Sequence, residues 1–292
     1  MKSDAATEYS PWRFYGAMCA AVLSISCAAI FFRKAQPTPP LVMAGVRLAL
    51  ASLVLWPIAW FRSRTVAVSP KVFAYGAVAG TLYGVHFGTW VSSLMLTSVA
   101  SSVTLVTATP LVLGIHGVLT GRDRPSSRLW WALATAILGI ALIGANDVGL
   151  GGDAIWGDLL ALLGAIAMAV YLLVSRRLAS DMHIWSFAAT ATSVGSCSML
   201  VTAGLLGLPL LPATHESFLW ILAAALIPQL IGHTLLTWAV QYASPTKVGL
   251  ATLGEPVGAA FLGWVVLAEP VGPLVGIGCA ITLVAVGLAL VE

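Results

Sequence analysis

The segment VGLATLGEPVGAAFLGW, Val248 to Trp264, is apolar except for one carboxylate, and that carboxylate, Glu255, is followed by Pro256. In such surroundings a carboxylate can carry a proton, pair with a solute ammonium, or tether an internal cation. Proline has no amide hydrogen, so Pro256 is expected to free the carbonyl of Thr252. Gly254 and Gly258 let another backbone come close. Pro110 predicts a matching break earlier in the chain, where Thr109 stands in place of the carboxylate. Both prolines read as hinge or gating positions whose exposed backbone groups can meet a solute.

Other polar groups in apolar runs extend this set. Gln229, His233, Thr237 and Gln241 recur every four residues and make one polar stripe on a helix. Such a stripe faces protein or water, not lipid. Tyr83, Phe87 and Trp90, with His86 beside them, form an aromatic face with polar tips. That face suits packing, or a cavity wall that stacks on a planar solute. His86 and His233 can each hold or release a proton near neutral pH, or serve as structural hydrogen-bonding groups. Gly76, Gly80, Gly84 and Gly88 occupy another stripe of the same helix and predict a close helix–helix contact. Arg47 lies inside an apolar run and needs a carbonyl, a carboxylate of another span or a solute carboxylate. Lys247 reads as an anchor at the membrane face or as an attractor for an anionic group. The cavity-lining candidates are therefore Tyr83, His86, Trp90, Gln229, His233 and Glu255, with Arg47 and Lys247 as charge partners.

These residues must be positioned inside a membrane. The chain has 292 residues, of which 59% are hydrophobic and 9% charged, and its mean hydropathy is +0.97. Soluble domains carry about 25% charged residues. Apolar runs long enough to cross a bilayer fall near 13–33, 40–61, 71–95, 98–120, 128–146, 156–175, 183–206, 217–242, 246–268 and 272–291. With the N-terminus inside, eleven Lys and Arg lie in inner segments and only Arg33 and Lys34 in outer loops. Both termini are then cytoplasmic. Glu269-Pro270 reads as a helix end and turn, and the Gly-rich 146–158 as an external turn.

The two halves resemble each other. YGVHFGTW (83–90) lies on LIGHTLLTW (230–238), pairing His86 with His233, and SVASSVTLVTATPLVLG (98–114) lies on SPTKVGLATLGEPVGAA (244–260), pairing Pro110 with Pro256. LGIALIG (138–144) lies on VGLALVE (286–292), and the spacing stays between 146 and 148 residues. Five spans per half place the start of the second half on the opposite side, so the halves are inverted copies. Secondary transporters have this architecture, with the site near the midplane.

Three stretches carry a family resemblance: GVRLALASLVLW (45–56), SVASSVTLVTATPLVLGIHGVLTGRDRPS (98–126) and ASPTKVGLATLGEPVGAAFLGWVVLAEP (243–270). On these the sequence resembles the drug/metabolite transporter superfamily, EamA type, and within it the bacterial amino-acid exporters, including the aromatic amino-acid branch. The resemblance implies ten helices in two five-helix repeats. It also implies that Glu-Pro is common to members with different solutes, which favours structure or gating for Glu255.

The expectation is thus an all-α polytopic protein of the bacterial inner membrane, with ten transmembrane helices in two inverted five-helix repeats. Residues 1–12 form a cytoplasmic tail, 13–146 the first repeat, 147–155 an external linker and 156–292 the second repeat. It moves a small organic solute by alternating access, as an exporter of aromatic or bulky apolar amino acids or related metabolites, with a cavity walled by spans three, four, eight and nine. Proton antiport of drugs or metabolites is the alternative coupling. Lipid surrounds it, and protons and a homodimer stay open as partners. A membrane-embedded enzyme needs clustered acids or bases, and Asp and Glu are sparse here; a non-transporting scaffold leaves the polar stripe without a use. There is no H-E-x-x-H or G-x-S-x-G set, no metal set, no cofactor motif and no basic patch for nucleic acid. Cys19, Cys27, Cys197 and Cys279 lie in apolar runs and read as buried small hydrophobes.

Overall fold

The structure, a computed structural model, describes residues 11–62, 69–121, 126–145, 152–268 and 272–290. Residues 1–10, Lys2 included, and the basic residues Arg64, Arg122 and Arg124 lie outside the described residues, as do Glu269-Pro270 and most of the 147–155 linker.

The described residues are helical and contain no strand. Ten helical segments follow one another: α1 (Pro11–Ser26, continuing as Ala28–Lys34), α2 (Pro40–Arg62), α3 (Pro70–Ser93), α4 (Val99–Val106, then Thr109–Thr120), α5 (Ser127–Ala145), α6 (Gly152–Leu178), α7 (Ile184–Leu205), α8 (His215–Ala224, Ala225–His233 and Thr234–Ala239), α9 (Pro245–Ala251, then Gly254–Leu267) and α10 (Pro273–Leu290). Seven of them are long and apolar enough to cross a membrane, and α5 and α10 contain shorter apolar stretches. α3 is 24 residues long; its glycines and its Tyr, His and Trp dilute its hydropathy. The chain is a polytopic all-α membrane protein.

Short polar residues set where the helices begin. Ser69 and Thr214 cap α3 and α8, accepting from the amides of Val72 and Ser217. Ser98 and Ser244 cap α4 and α9, accepting from Ser101 and Lys247. Each cap satisfies an amide that the first turn leaves without a partner, and each pair is related by the repeat. α4 and α9 also end alike, on a left-handed residue: Gly121 at φ 70° and Ala268 at φ 55°.

Packing follows the same two-fold relation. Replacing each helix by the one five places on converts every major contact into another. α3 against α6 becomes α8 against α1, α3 against α7 becomes α8 against α2, and α4 against α6 becomes α9 against α1. α2–α7, α5–α10 and α4–α9 map onto themselves. Two arginines mark the same relation: Arg33 of α1 donates to the Thr97 carbonyl beyond α3 (2.8 Å), and Arg176 of α6 donates to the Val240 carbonyl beyond α8 (2.6 Å).

In lipid, helices are held by close packing of small residues. The glycine stripe of α3 lies against α7: a Cβ on Gly80 would fall 3.1 Å from the Ala191 carbonyl, and one on Gly84 would fall 3.0 Å from that of Gly195. Between α5 and α10, a Cβ on Gly139 would fall 2.8 Å from the Gly278 carbonyl. The outer surface is apolar, with Trp12, Leu119 and Leu205 all more than three-quarters exposed, and needs lipid to cover it. The cysteines depart from expectation. All four are free, Cys19 and Cys197 are exposed, and Cys27 and Cys279 are partly buried. An apolar run in a membrane has lipid-facing positions that are exposed in the protein itself.

Candidate functional site

α4 and α9 are both broken near mid-length, and the broken halves pack crosswise. The first half of α4 lies against the second half of α9, and the second half of α4 against the first half of α9. Pro110 packs against Gly249, where a Cβ would lie 3.3 Å from the proline ring. Pro110 and Pro256 each sit in the first turn of their second half-helix. The breaks are tight turns, not open gaps. The Glu255 amide donates to the Thr252 carbonyl at 2.8 Å, so the carbonyl expected to be free is bonded again. Thr109 hydroxyl lies 3.2 Å from the Val106 and Ala165 carbonyls and ties the α4 break to α6.

α8 carries a feature not read from the sequence. Ala225–His233 is a π-helical stretch containing Pro228. A proline inside a helix clashes with the preceding turn, and a wider turn accommodates it. The Thr234 hydroxyl reaches back five residues to the Gln229 carbonyl at 3.3 Å.

A cavity lies where these irregular segments meet. It is narrow, about 40 Å³, within a cleft whose empty space, counted out to open solvent, is about 570 Å³. α3 contributes His86 and Trp90, α8 contributes His233 and Thr237, and the two breaks contribute Thr107, Thr109, Thr252 and Glu255. Tyr171 and Met168 of α6 and Ile25 of α1 also line it, with aliphatic residues filling the rest of the wall. The wall therefore has six helices, not the expected four: α1 and α6 join α3, α4, α8 and α9. Tyr171 is the one aromatic residue in the aliphatic run GAIAMAVYLLV, and that was the available signal.

The histidines are neighbours, with ring centroids 6.3 Å apart. His86 Nδ1 lies 3.0 Å from the Gly164 carbonyl. A carbonyl only accepts, so Nδ1–H donates, and in the neutral ring Nε2 is left as an acceptor. Trp90 is 2% exposed and its indole N–H has no hydrogen-bond partner among the described residues. No hydrogen bond reaches the Glu255 side chain among the described residues, and Glu255 is buried on the cavity wall.

Tyr83 and Gln229 sit one layer behind this wall, bordering a tighter recess with Thr192 and Thr234. Tyr83 stacks on Tyr171 with centroids 4.4 Å apart. Gln229 donates to the Tyr83 hydroxyl at 2.9 Å, and its side-chain oxygen accepts from Arg47 Nη2 at 2.9 Å. Arg47 is fully buried, and its guanidinium carbon lies 4.2 Å from the Phe87 ring centroid and 5.5 Å from that of Phe32. Its Nε and Nη1 have no partner. Arg47 has thus found an amide and two aromatic faces. The Lys247 side chain is not on the cavity wall either; its amide bonds the capping Ser244 hydroxyl. Among the described residues no group of three or more His, Cys, Asp or Glu is placed to hold a metal.

The chain is similar to known proteins at two levels. The model of the EamA-like transporter family matches residues 12–145 and again 155–291. A solved crystal structure superposes with a TM-score of 0.73 over 96% of this chain and 98% of its own, at 21% identity, which establishes a shared fold. No curated protein matches the sequence.

Proposed function

The chain belongs to the EamA-like transporter family, and from that premise we propose that it exports a small organic solute, an aromatic or bulky apolar amino acid or a related metabolite, across the bacterial inner membrane by alternating access. Both termini face the cytoplasm in this reading, as the Lys and Arg distribution asks. One observation carries it: a buried polar and aromatic cavity at the crossing of two broken, repeat-related helices. In inverted-repeat transporters such helices frame the solute, and one bundle rocks against the other. His86, Trp90, His233 and Glu255 contact the solute; Tyr83 and Gln229 position the wall; Pro110 and Pro256 are the hinges. The test is flux in proteoliposomes with a panel of amino acids and drugs, with and without a pH gradient. No solute-dependent flux under any condition would end the transport reading.

Proton antiport is the second reading, favoured by a Glu255 carboxylate on the cavity wall without a hydrogen-bond partner. If Glu255 carries the proton, Glu255→Gln loses pH-driven flux and keeps downhill exchange. Loss of both assigns Glu255 a structural role.

A further inference from the structure

We propose that the cavity recognises the ammonium end of its solute and has no seat for a carboxylate, so that organic amines with an apolar body bind better than the matching amino acids. This rests on the transport reading above and names the substrate class of the same site.

The argument follows each hydrogen. A hydroxyl has one to give. That of Thr107 goes to the Val103 or Thr104 carbonyl, each at 2.9 Å, and that of Thr252 to the Gly249 carbonyl at 2.6 Å. That of Thr109 goes to the Val106 or Ala165 carbonyl. Thr237 gives its hydrogen to the His233 carbonyl at 2.9 Å, so in its 3.1 Å contact with the Tyr171 hydroxyl the tyrosine is the donor. The threonine oxygens therefore meet the cavity as acceptors only. His86, with Nδ1–H on the Gly164 carbonyl, presents the acceptor Nε2. Glu255, in the ionised form that an ammonium partner favours, adds two carboxylate oxygens.

Donors are few. Among the described residues they are the unpartnered Trp90 indole N–H and, in its neutral form, one N–H of the His233 ring. Among the described residues no Lys or Arg lines the cavity. Arg47 is held by Gln229 and lies on Phe87, and none of these three borders the cavity. Its charge acts there only through space. A carboxylate would bring two acceptors and a negative charge to a wall already rich in acceptors and carrying Glu255. An ammonium brings three donors and the opposite charge, and the Trp90 and Tyr171 rings suit the apolar body beside it.

Phenethylamine, phenylalanine and 3-phenylpropionate share a phenyl group and a two-carbon chain and differ in their charged ends. Binding of each to the full chain in detergent, read by calorimetry, tests the proposal without interference from bilayer leak of the neutral amine. Phenethylamine should bind about 10- to 100-fold tighter than 3-phenylpropionate, as a charge-assisted hydrogen bond implies, with phenylalanine between. Glu255→Gln should bring that ratio towards one. Tighter binding of phenylalanine or 3-phenylpropionate than of phenethylamine overturns the proposal, as does phenylalanine binding lost selectively in Arg47→Met, which would seat the carboxylate on Arg47. Should Glu255→Gln fail to fold, the unmodified chain's three affinities still decide. If none of the three binds while the flux panel shows transport of other solutes, the amine assignment is wrong and the transport reading stands. If the panel shows no transport, that reading fails on its own.

Discussion

Replacing Gln229 by leucine separates two interactions of very different size. Among the described residues the Gln229 side-chain oxygen is the only hydrogen-bond acceptor that Arg47 has, since Nε and Nη1 are without partners there, and its amide nitrogen also bonds Tyr83. A neutral bond between membrane helices is worth about 0.6 kcal/mol on average and at most about 1.7. Stranding a buried charge by removing its partner costs about 3–5 kcal/mol. The charged loss therefore dominates. Gln229→Leu should destabilise by about 3–5 kcal/mol, while Tyr83→Phe, which removes only the neutral bond, should cost about 0.6–1.7 kcal/mol. Arg47→Met alone strands a neutral amide, a cost of about 1–3 kcal/mol. Combining Arg47→Met with Gln229→Leu deletes the stranded charge and should recover most of the loss, because apolar residues replace a buried polar pair at little cost. Equilibrium unfolding in bicelles, followed by tryptophan fluorescence, measures all four. The reasoning fails if Gln229→Leu costs no more than Tyr83→Phe, or if the double variant is no more stable than Gln229→Leu.

Gly84→Val should sharply lower the folded yield on size exclusion, because its Cβ meets the Gly195 backbone and forces α3 off α7, whereas Gly16→Ala, with nothing within 4 Å, should gain about 0.5–1 kcal/mol in the same unfolding assay. Pro228→Ala removes the cause of the wide turn in α8. The helix can then recover ordinary register, turning His233 off the cavity, so proteoliposome flux should fall while unfolding stability holds or rises. Unchanged flux would detach the π-helical stretch from function.

The helices, their starts and the two breaks are legible in the sequence because their causes are local: apolar runs, capping serines and threonines, and prolines. The glycine stripe is legible because four-residue spacing fixes one face of a helix. The contents of the cavity are less so. Four-residue spacing groups Gln229 with His233, yet the extra residue of the π-helical stretch changes their angular relation, and Gln229 ends on Arg47 while His233 borders the cavity. Pro228 was in plain view, but a proline predicts a disturbance without saying whether the helix kinks or widens. α1 and α6 carry almost no polar pattern, so which of their faces meets the cavity is decided by tertiary packing alone. The fate of Arg47 is of the same kind, since many acceptors satisfy an arginine and only the assembled bundle selects Gln229.

The scaffold obeys the two-fold relation and the chemistry departs from it. Caps, breaks and helix pairings occur twice, and so do the threonines at the breaks, Thr107 and Thr252. A site built only from repeated parts would offer the same groups from both sides and could not orient a solute with two different ends. On the proposed transport reading, the departures would supply that direction. Glu255 stands on one side and Thr109 near the related break, and Trp90 lines the cavity while its counterpart Trp238 packs against Phe14 and Tyr242. Leu230 replaces Tyr83, so only one side of the bundle has the hydroxyl that Gln229 and Arg47 are built around. On the proposed transport reading, symmetry would give the fold two equivalent ways to rock, and the unmatched carboxylate and indole would give the solute one preferred way to lie.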